Sequence, residues 1–313
     1  MLDSCGRTIS YLRISITDRC NYRCRYCMPE AGTEKRTHDE ICSFEELRDM
    51  AAAAVRCGVK KIRVTGGEPL VRKGVADFCG MLRELDGVEE LCLTTNGSLL
   101  PQTASALRRN GVDRLNISLD TLRPERFREI SRCGALSDVL NGIAAAEQAG
   151  FESLKLNCVL LGGINDDEIA DFVELTREKP WQIRFIERMP IGVCADWGRY
   201  VPAAAVLERC PEIERIGEDG VAACYRLPHA AGTVGLITPM SHAFCSGCSR
   251  IRITADGRLK PCLHSDAELS LRGLSEEEME RTIRMGAASK PERHRISETE
   301  VSQTHRAMHE IGG

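Results

Sequence analysis

The sequence has no run of about 18 apolar residues, so no membrane-spanning helix is expected. Residues 1–10 lack the apolar stretch of a secretory signal, and the cytoplasm is therefore the expected compartment. Basic charge is not in excess either. The formal net charge is -4, which argues against general electrostatic binding to nucleic acid. Aromatic residues make up only 4% of the chain, with two tryptophans, so no surplus of bulky core residues marks it out. Low-complexity tracts and repeats beyond a strand–helix alternation are missing. The remaining composition, 42% hydrophobic and 28% charged over 313 residues, is that of an ordinary globular chain. Its length suits one large α/β domain with an appendage, or two domains.

Cysteine is what the chain has in abundance, with 16 residues. A secreted disulfide protein and an intracellular metal protein are the two ways to hold so many. Spacing separates them. Cys20, Cys24 and Cys27 form C-x3-C-x2-C, and Cys245, Cys248 and Cys262 form C-x2-C-x13-C. Zinc sites usually use four ligands in paired units. Three thiolates on one loop suit a [4Fe–4S] cluster in which one iron lacks a cysteine and stays open to a small ligand. A zinc site that borrows a fourth ligand stays open as an alternative, with His264 the candidate for the second set. The other ten cysteines, Cys42, Cys79 and Cys133 among them, have no ligand spacing and are expected to be small core or surface thiols.

Alternation of apolar and polar residues predicts strands near residues 11–16, 62–65, 91–96, 114–120, 154–160 and 182–187. Helices lie between them. One starts at Ser43 with Glu46 three residues on and stops at Gly58; another covers 137–150; a third follows Asn165. Strand and helix repeated about six times predict an α/β fold, a partial, open parallel βα barrel with a smaller C-terminal cluster-binding region. The expected division is 1–200 and 201–313. Short strands at 233–237 and 250–254 and a helix at 275–285 are expected in the second part.

Each strand also sends a polar set to one side: Arg13 and Ser15; Arg63 and Thr65; Cys92, Thr94 and Asn96; Asn116, Ser118 and Asp120; Lys155 and Asn157. Strands buried on both faces read instead as continuous apolar runs. An antiparallel sheet with one wetted face is the alternative; the intervening helices favour an inner lumen. Arg13, Arg63 and Lys155 in one lumen need anionic company, and a polyphosphate is the simple candidate.

The loop from Cys20 to Cys27 resembles the signature of radical S-adenosylmethionine (SAM) enzymes, and Gly66-Gly67-Glu68-Pro69 resembles their glycine-rich motif. The two glycines are expected to let backbone approach a ligand. Further matches narrow the family. YLRISITDRCNYRCRYCMP from Tyr11, IRVTGGEPLVR from Ile62, LTTNG from Leu93, RLNISLD from Arg114, FCSGCSRIRITADGRLKPCL from Phe244 and the final Gly312-Gly313 are similar to the molybdenum cofactor biosynthesis protein A family, the GTP 3′,8-cyclases. The match spans nearly the whole chain, departing at Cys5 and over 190–235.

The resemblance implies two [4Fe–4S] clusters, one on Cys20, Cys24 and Cys27, the other on Cys245, Cys248 and Cys262. It implies SAM contacts at Tyr26, Gly67, Ser118 and Met189. GTP contacts are implied at Arg13, Arg63, Thr94, Lys155, Arg250, Ile251 and Arg252, and a catalytic tail at Gly312 and Gly313. The implied reaction is radical removal of the 3′ hydrogen of GTP and closure of C3′ onto C8, the first step of molybdenum cofactor biosynthesis. It also implies an external one-electron reductant and hand-over of product to a cyclic pyranopterin synthase. A homodimer is compatible with it; nucleic-acid and membrane partners are not expected. A different radical SAM enzyme, an iron–sulfur electron carrier and a zinc-stabilised binding module are the competing functions.

Overall fold

A computed structural model describes residues 1–32, 36–192, 197–297 and 302–312. The six alternating segments form β1 (Tyr11–Ser15), β2 (Lys61–Thr65), β3 (Glu90–Thr95), β4 (Arg114–Ser118), β5 (Lys155–Leu160) and β6 (Gln182–Glu187). They lie side by side in chain order, every pair parallel. The antiparallel alternative is thereby excluded. Helices α1 (Phe44–Arg56), α2 (Val75–Arg83), α3 (Leu100–Arg109), α4 (Pro124–Ser131), α5 (Leu136–Gln148) and α6 (Ile169–Glu174) fill the connections.

The physics of α1 illustrates why the sequence folds this way. Ser43 Oγ accepts from the Glu46 N–H at 3.1 Å and Glu46 returns a carboxylate to the Ser43 N–H at 2.7 Å, which closes a capping box. Leu47, Met50, Ala51 and Ala54 recur at helical spacing and are buried. They join Leu12, Ile14, Ile62, Val64, Leu93 and Ile117 from the outer faces of the strands in one core.

The C-terminal region does not stand apart from this sheet. After α7 (Ala204–Arg209) come β7 (Glu214–Asp219), β8 (Ala222–Arg226) and β9 (Thr233–Ile237), then β10 (Arg250–Ile253), β11 (Arg258–Lys260), β12 (Leu269–Ser270) and α8 (Glu276–Ala288). β9 extends the sheet parallel to β6, and β10 extends it at the opposite edge, parallel to β1. The order is β12-β11-β10-β1-β2-β3-β4-β5-β6-β9-β8-β7, so the sheet ends in two different edges and stays open. Sequence periodicity located β9 and β10 without revealing that each adopts a place beside the barrel strands.

Registers across the sheet set what shares a level. Arg252, Arg13, Arg63 and Cys92 form one row; Thr94, Asn116, Lys155 and Gln182 form another; Ser118, Asn157 and Arg184 form a third. Cys42, Cys57, Cys79, Cys92, Cys158, Cys210 and Cys224 are buried single thiols, and Cys5 and Cys133 are exposed ones. Cys194 lies outside the described residues.

Candidate active site

The first cysteine loop leaves β1 and folds back on itself. The N–H groups of Cys27 and Met28 both donate to the Cys24 carbonyl at 2.9 Å. Arg23 N–H and Arg25 N–H donate to Ser131 and Ile130, which docks the loop on the end of α4. Tyr26 Oη donates to Asp120 at 2.7 Å and fixes the loop to the segment after β4. The second set begins in a single 3₁₀ turn, Cys245–Gly247, just before β10. Arg7 donates to the Cys245 carbonyl at 2.8 Å, and Lys290 Nζ donates to the Arg250 and Pro261 carbonyls at 2.9 and 2.8 Å.

All six cysteines line one cavity of about 340 Å³ enclosed by the inner face of the sheet and its C-terminal loops. Cys27, the last of the first set, and Cys245, the first of the second, are 218 positions apart, so the triads are unrelated locally; only pairing of β10 with β1 brings them to the same chamber.

The donor sets fit open-iron clusters better than single ions. Each set offers three thiols. A tetrahedral zinc site needs a fourth donor, whereas a cubane that leaves one iron open needs three thiolates. His264, the candidate fourth zinc ligand, instead shares a hydrogen bond with Ser302 at 3.1 Å and packs against the His294 ring. Burial pushes Cys20 up to about 11 and Cys24 well above its ordinary value, with the neighbouring thiols adding to the effect at Cys24. Thiols in such surroundings become thiolates when a cationic centre binds them. At Cys248 burial acts in the same upward direction, but Lys290 and the Arg250 N–H and guanidinium outweigh it and hold the thiol below its ordinary value.

Gly66 and Gly67 line the cavity, but their lack of a side chain serves the protein's own backbone. A Cβ on Gly67 would stand 2.5 Å from the Arg19 carbonyl oxygen, and one on Gly66 2.8 Å from that of Thr17. The Gly67 N–H donates to Thr17 and the Glu68 N–H to Arg19, at 2.7 and 2.8 Å. The glycine-rich turn is thus pressed onto the strand-to-loop passage that leads into Cys20. Glu68 is not a solvated loop carboxylate. It is 1% exposed and accepts from Leu70 N–H, Thr95 Oγ1 and Asn96 N–H at 3.0, 2.7 and 2.6 Å. Burial raises its carboxyl to about 7 despite those three donors. Asp120, also buried, rises to about 6 for the same reason.

Cations line the same cavity. Arg13, Arg63, Arg184, Arg250 and Arg252 all line the cavity. Burial and then Arg252 push the Arg13 guanidinium well below its ordinary pKa. Burial and then Arg250 bring Arg252 to about 10. Arg63 donates to Tyr11 Oη at 2.5 Å and to Thr94 Oγ1 at 3.2 Å. Burial would raise Tyr11, but Arg63, Arg13 and Arg250 together bring it down to about 8. Burial and neighbouring arginines together depress Arg13 and Arg252, so the site has a strong demand for an anion.

Of the residues singled out in the sequence, Tyr26, Gly67, Ser118, Met189, Arg13, Arg63, Thr94, Arg250, Arg252 and Gly312 line this cavity. Two do not, and Gly313 lies outside the described residues. Lys155 is on the inner face, as alternation requires, but it is 4% exposed and ion-paired with Asp219 at the end of β7, which also accepts from Arg184 at 2.7 Å. The Lys155 ammonium, expected to contact a ligand, is here matched by the Asp219 carboxylate. Ile251 turns into the core between its two arginine neighbours and is fully buried. Sequence reasoning missed Arg184, Tyr11, Asp219 and the burial of Glu68. The same alternation along β6 places Arg184 inward; nothing local to residues 214–219 signals Asp219.

The Radical SAM superfamily profile matches residues 14–176, and the Molybdenum Cofactor Synthesis C profile matches residues 181–296. A GTP 3′,8-cyclase of Alkaliphilus oremlandii (strain OhILAs) is 44% identical over the full length of both chains. A GTP 3′,8-cyclase of Geobacter sulfurreducens is 46% identical over 100% of this chain and 99% of its own. Among solved structures, SuiB of Streptococcus suis bound to S-adenosylmethionine superposes with a TM-score of 0.66 at 14% identity, over 90% of this chain and 68% of that one. Native anSMEcpe with bound AdoMet gives 0.58 at 15% identity, over 89% and 82%. At those identities the two structures speak for the shared fold alone.

Proposed function

The chain belongs to the radical SAM superfamily and, within it, to the GTP 3′,8-cyclase family, and from that membership we propose how its residues carry out the reaction. The enzyme converts GTP and SAM to (8S)-3′,8-cyclo-7,8-dihydroguanosine 5′-triphosphate, 5′-deoxyadenosine and methionine, the first step of molybdenum cofactor biosynthesis. The observation that carries the assignment of residues is the placement of both cysteine triads and seven arginines on one cavity.

Cys20, Cys24 and Cys27 would hold the first [4Fe–4S] cluster, and Cys245, Cys248 and Cys262 the second. When bound, the first cluster would supply one-electron reductive cleavage of SAM, and the second would supply a Lewis-acidic iron to the substrate. Tyr26, Gly67, Ser118 and Met189 hold SAM against the first triad. Tyr26 is itself held by Asp120, so its ring has one orientation. Arg13, Arg63, Arg250 and Arg252 hold the triphosphate, and Thr94 shares Arg63 with it. Fixing both substrates in one enclosed chamber brings the 3′ hydrogen to the SAM-derived carbon and C3′ to C8, and keeps water and stray hydrogen donors out. Residues 1–200 supply the SAM half of the chamber and residues 201–313 the guanine half, although one sheet runs through both. An external one-electron reductant, hand-over to a cyclic pyranopterin synthase, a homodimeric state and a cytoplasmic location complete the proposal. Among the described residues no helix is long and apolar enough to cross a membrane.

Anaerobic reconstitution followed by incubation with SAM, dithionite and GTP is the test. Cyclised triphosphate should form together with 5′-deoxyadenosine, and the protein should carry about eight irons, as two four-iron clusters require. Deoxyadenosine without cyclised product on addition of GTP would reject the substrate; zinc in place of iron would reject the clusters.

A further inference from the structure

The last described residues enter the cavity. Arg252 donates to the carbonyls of Ile311 and Gly312, both at 3.1 Å. Gly312 has a positive φ of 67°, and a Cβ there would lie 2.0 Å from Thr65 Oγ1. Met308 and His309 line the same cavity and Ile311 is buried. A short segment placed this deeply, outside the sheet and the long helices, needs a hold.

That hold is visible a few residues upstream. Arg306 spans two carboxylates: it meets Glu268 at 2.6 and 2.7 Å and Asp256 at 2.9 and 3.2 Å. Asp256 in turn accepts from Arg36 at 2.9 Å, and Arg36 reaches Glu310 on the tail at 3.1 Å and leans toward Asp18 at 3.9 Å. Glu310 uses its other oxygen to accept from the Ala307 N–H at 2.9 Å, capping the tail's final turn. Lys260, whose side chain is fully buried, completes the cluster by donating to Glu268 at 3.2 Å. Side chains of Asp256 and Arg306 are each 13% exposed, far less than those of an ordinary surface pair. Burial would lower Arg306, but its two carboxylate partners raise it above its ordinary value, and Asp256 is brought down to about 2 despite its own burial.

The segments joined are not arbitrary. Asp18 and Arg36 flank the first cysteine loop. Asp256 lies between β10 and β11, and Glu268 between β11 and β12, so both belong to the hairpin that carries the second cysteine set. Arg306 and Glu310 belong to the tail. We infer that Arg306, Asp256, Glu268, Arg36 and Glu310 form an ionic clamp that sets the depth of the tail in the chamber by tying it to the supports of both cysteine loops. These are positioning residues: none of the five touches the cavity, and all act through Gly312 and its neighbours. The clamp rests on the proposed use of the cavity as the reaction chamber. Bidentate, partly buried pairs that share partners suit the task because losing one member leaves another charge unpaired.

The test uses the full-length, reconstituted enzyme. Hydrogen exchange of the amides of residues 307–312, read without GTP or SAM, should accelerate at least tenfold in Arg306→Ala and less in Arg306→Lys, which keeps the charge and loses the fork. Glu310→Gln, which leaves the Arg306 pairs intact, should accelerate exchange as well and serves if Arg306→Ala does not fold. Turnover to cyclised product should fall at least fivefold in Arg306→Ala while the KM for SAM stays within twofold. Arg258→Ala, which removes an exposed arginine near the same two acids without touching the tail, should change neither. Wild-type exchange in Arg306→Ala and Glu310→Gln, or an equal loosening in Arg258→Ala, would overturn the clamp. A wild-type enzyme that makes no cyclised product tells instead against the chamber's assigned reaction, because the exchange measurement needs neither substrate.

Discussion

Glu68 places a carboxylate at 1% exposure among three donors, and its titration follows from that. Its folded-state pKa of about 7 lies above the ordinary 4.5, so the folded chain binds this proton more tightly than the unfolded one. Its contribution to stability is complete below about 4.5 and is lost as pH rises through 7. Asp120 acts in the same direction between 3.8 and about 6. The urea midpoint of Glu68→Gln should therefore depend less on pH between 4.5 and 7 than that of the parent; parallel curves would refute the assignment. At pH 4.5 the variant should be the less stable, by about 1–3 kcal/mol, since the amide leaves a buried donor unmatched. Asp219 gives the second residue-scale prediction. It engages Lys155 and Arg184, which alternation turns toward the lumen. Asp219→Asn should free both for the more highly charged triphosphate and lower the Kd for GTP several-fold in equilibrium dialysis; a higher Kd would mean that Asp219 orders the two cations for the ligand. Arg13 and Lys155 together show what the sequence could and could not tell. Period-two alternation put both on the inner face; that Arg13 lines the cavity while Lys155 pairs with a carboxylate from residue 219 could not be read from it.

At the scale of elements, local chemistry was legible wherever it was self-contained. The Ser43–Glu46 box, the strand limits and the end of α1 at Gly58, with φ at 103°, all follow from residues within a turn of one another. The pairing of β10 with β1 was not legible, because register between segments 239 residues apart, as for Tyr11 and Arg250, is set by which edge remains unpaired. Close packing of α5 was equally hidden. Gly142 sits where a Cβ would lie 2.0 Å from the Gly97 carbonyl oxygen. Gly142→Ala gains about 1 kcal/mol of helix propensity. It also forces α5 away from the loop after β3, an overpacking cost of about 1–3 kcal/mol or more. The net result should be a lower melting temperature; an unchanged or higher one would show that the contact yields freely.

At the scale of the molecule, the two cysteine triads can be separated by their effects. Cys24→Ala should lose about four irons and abolish SAM cleavage. Cys248→Ala should also lose about four irons, keep some SAM cleavage and form no cyclised product. Iron content and the two product assays check both, and cyclised product from Cys248→Ala would disprove the role of the second triad. The triads themselves were plain in the sequence; that they face one chamber followed from the family resemblance and not from any local pattern, since it depends on the whole sheet.

Pairing of β10 with β1 also has a consequence for how the chain is made. Until residue 253 has left the ribosome, β1 presents a bare row of backbone donors and acceptors along one side. A bare strand side of this kind is a template for a neighbouring nascent chain. Prematurely terminated products ending before Arg250 should accordingly be the ones that coalesce, with the first strand of one copy taking up the position that the missing strand leaves in another.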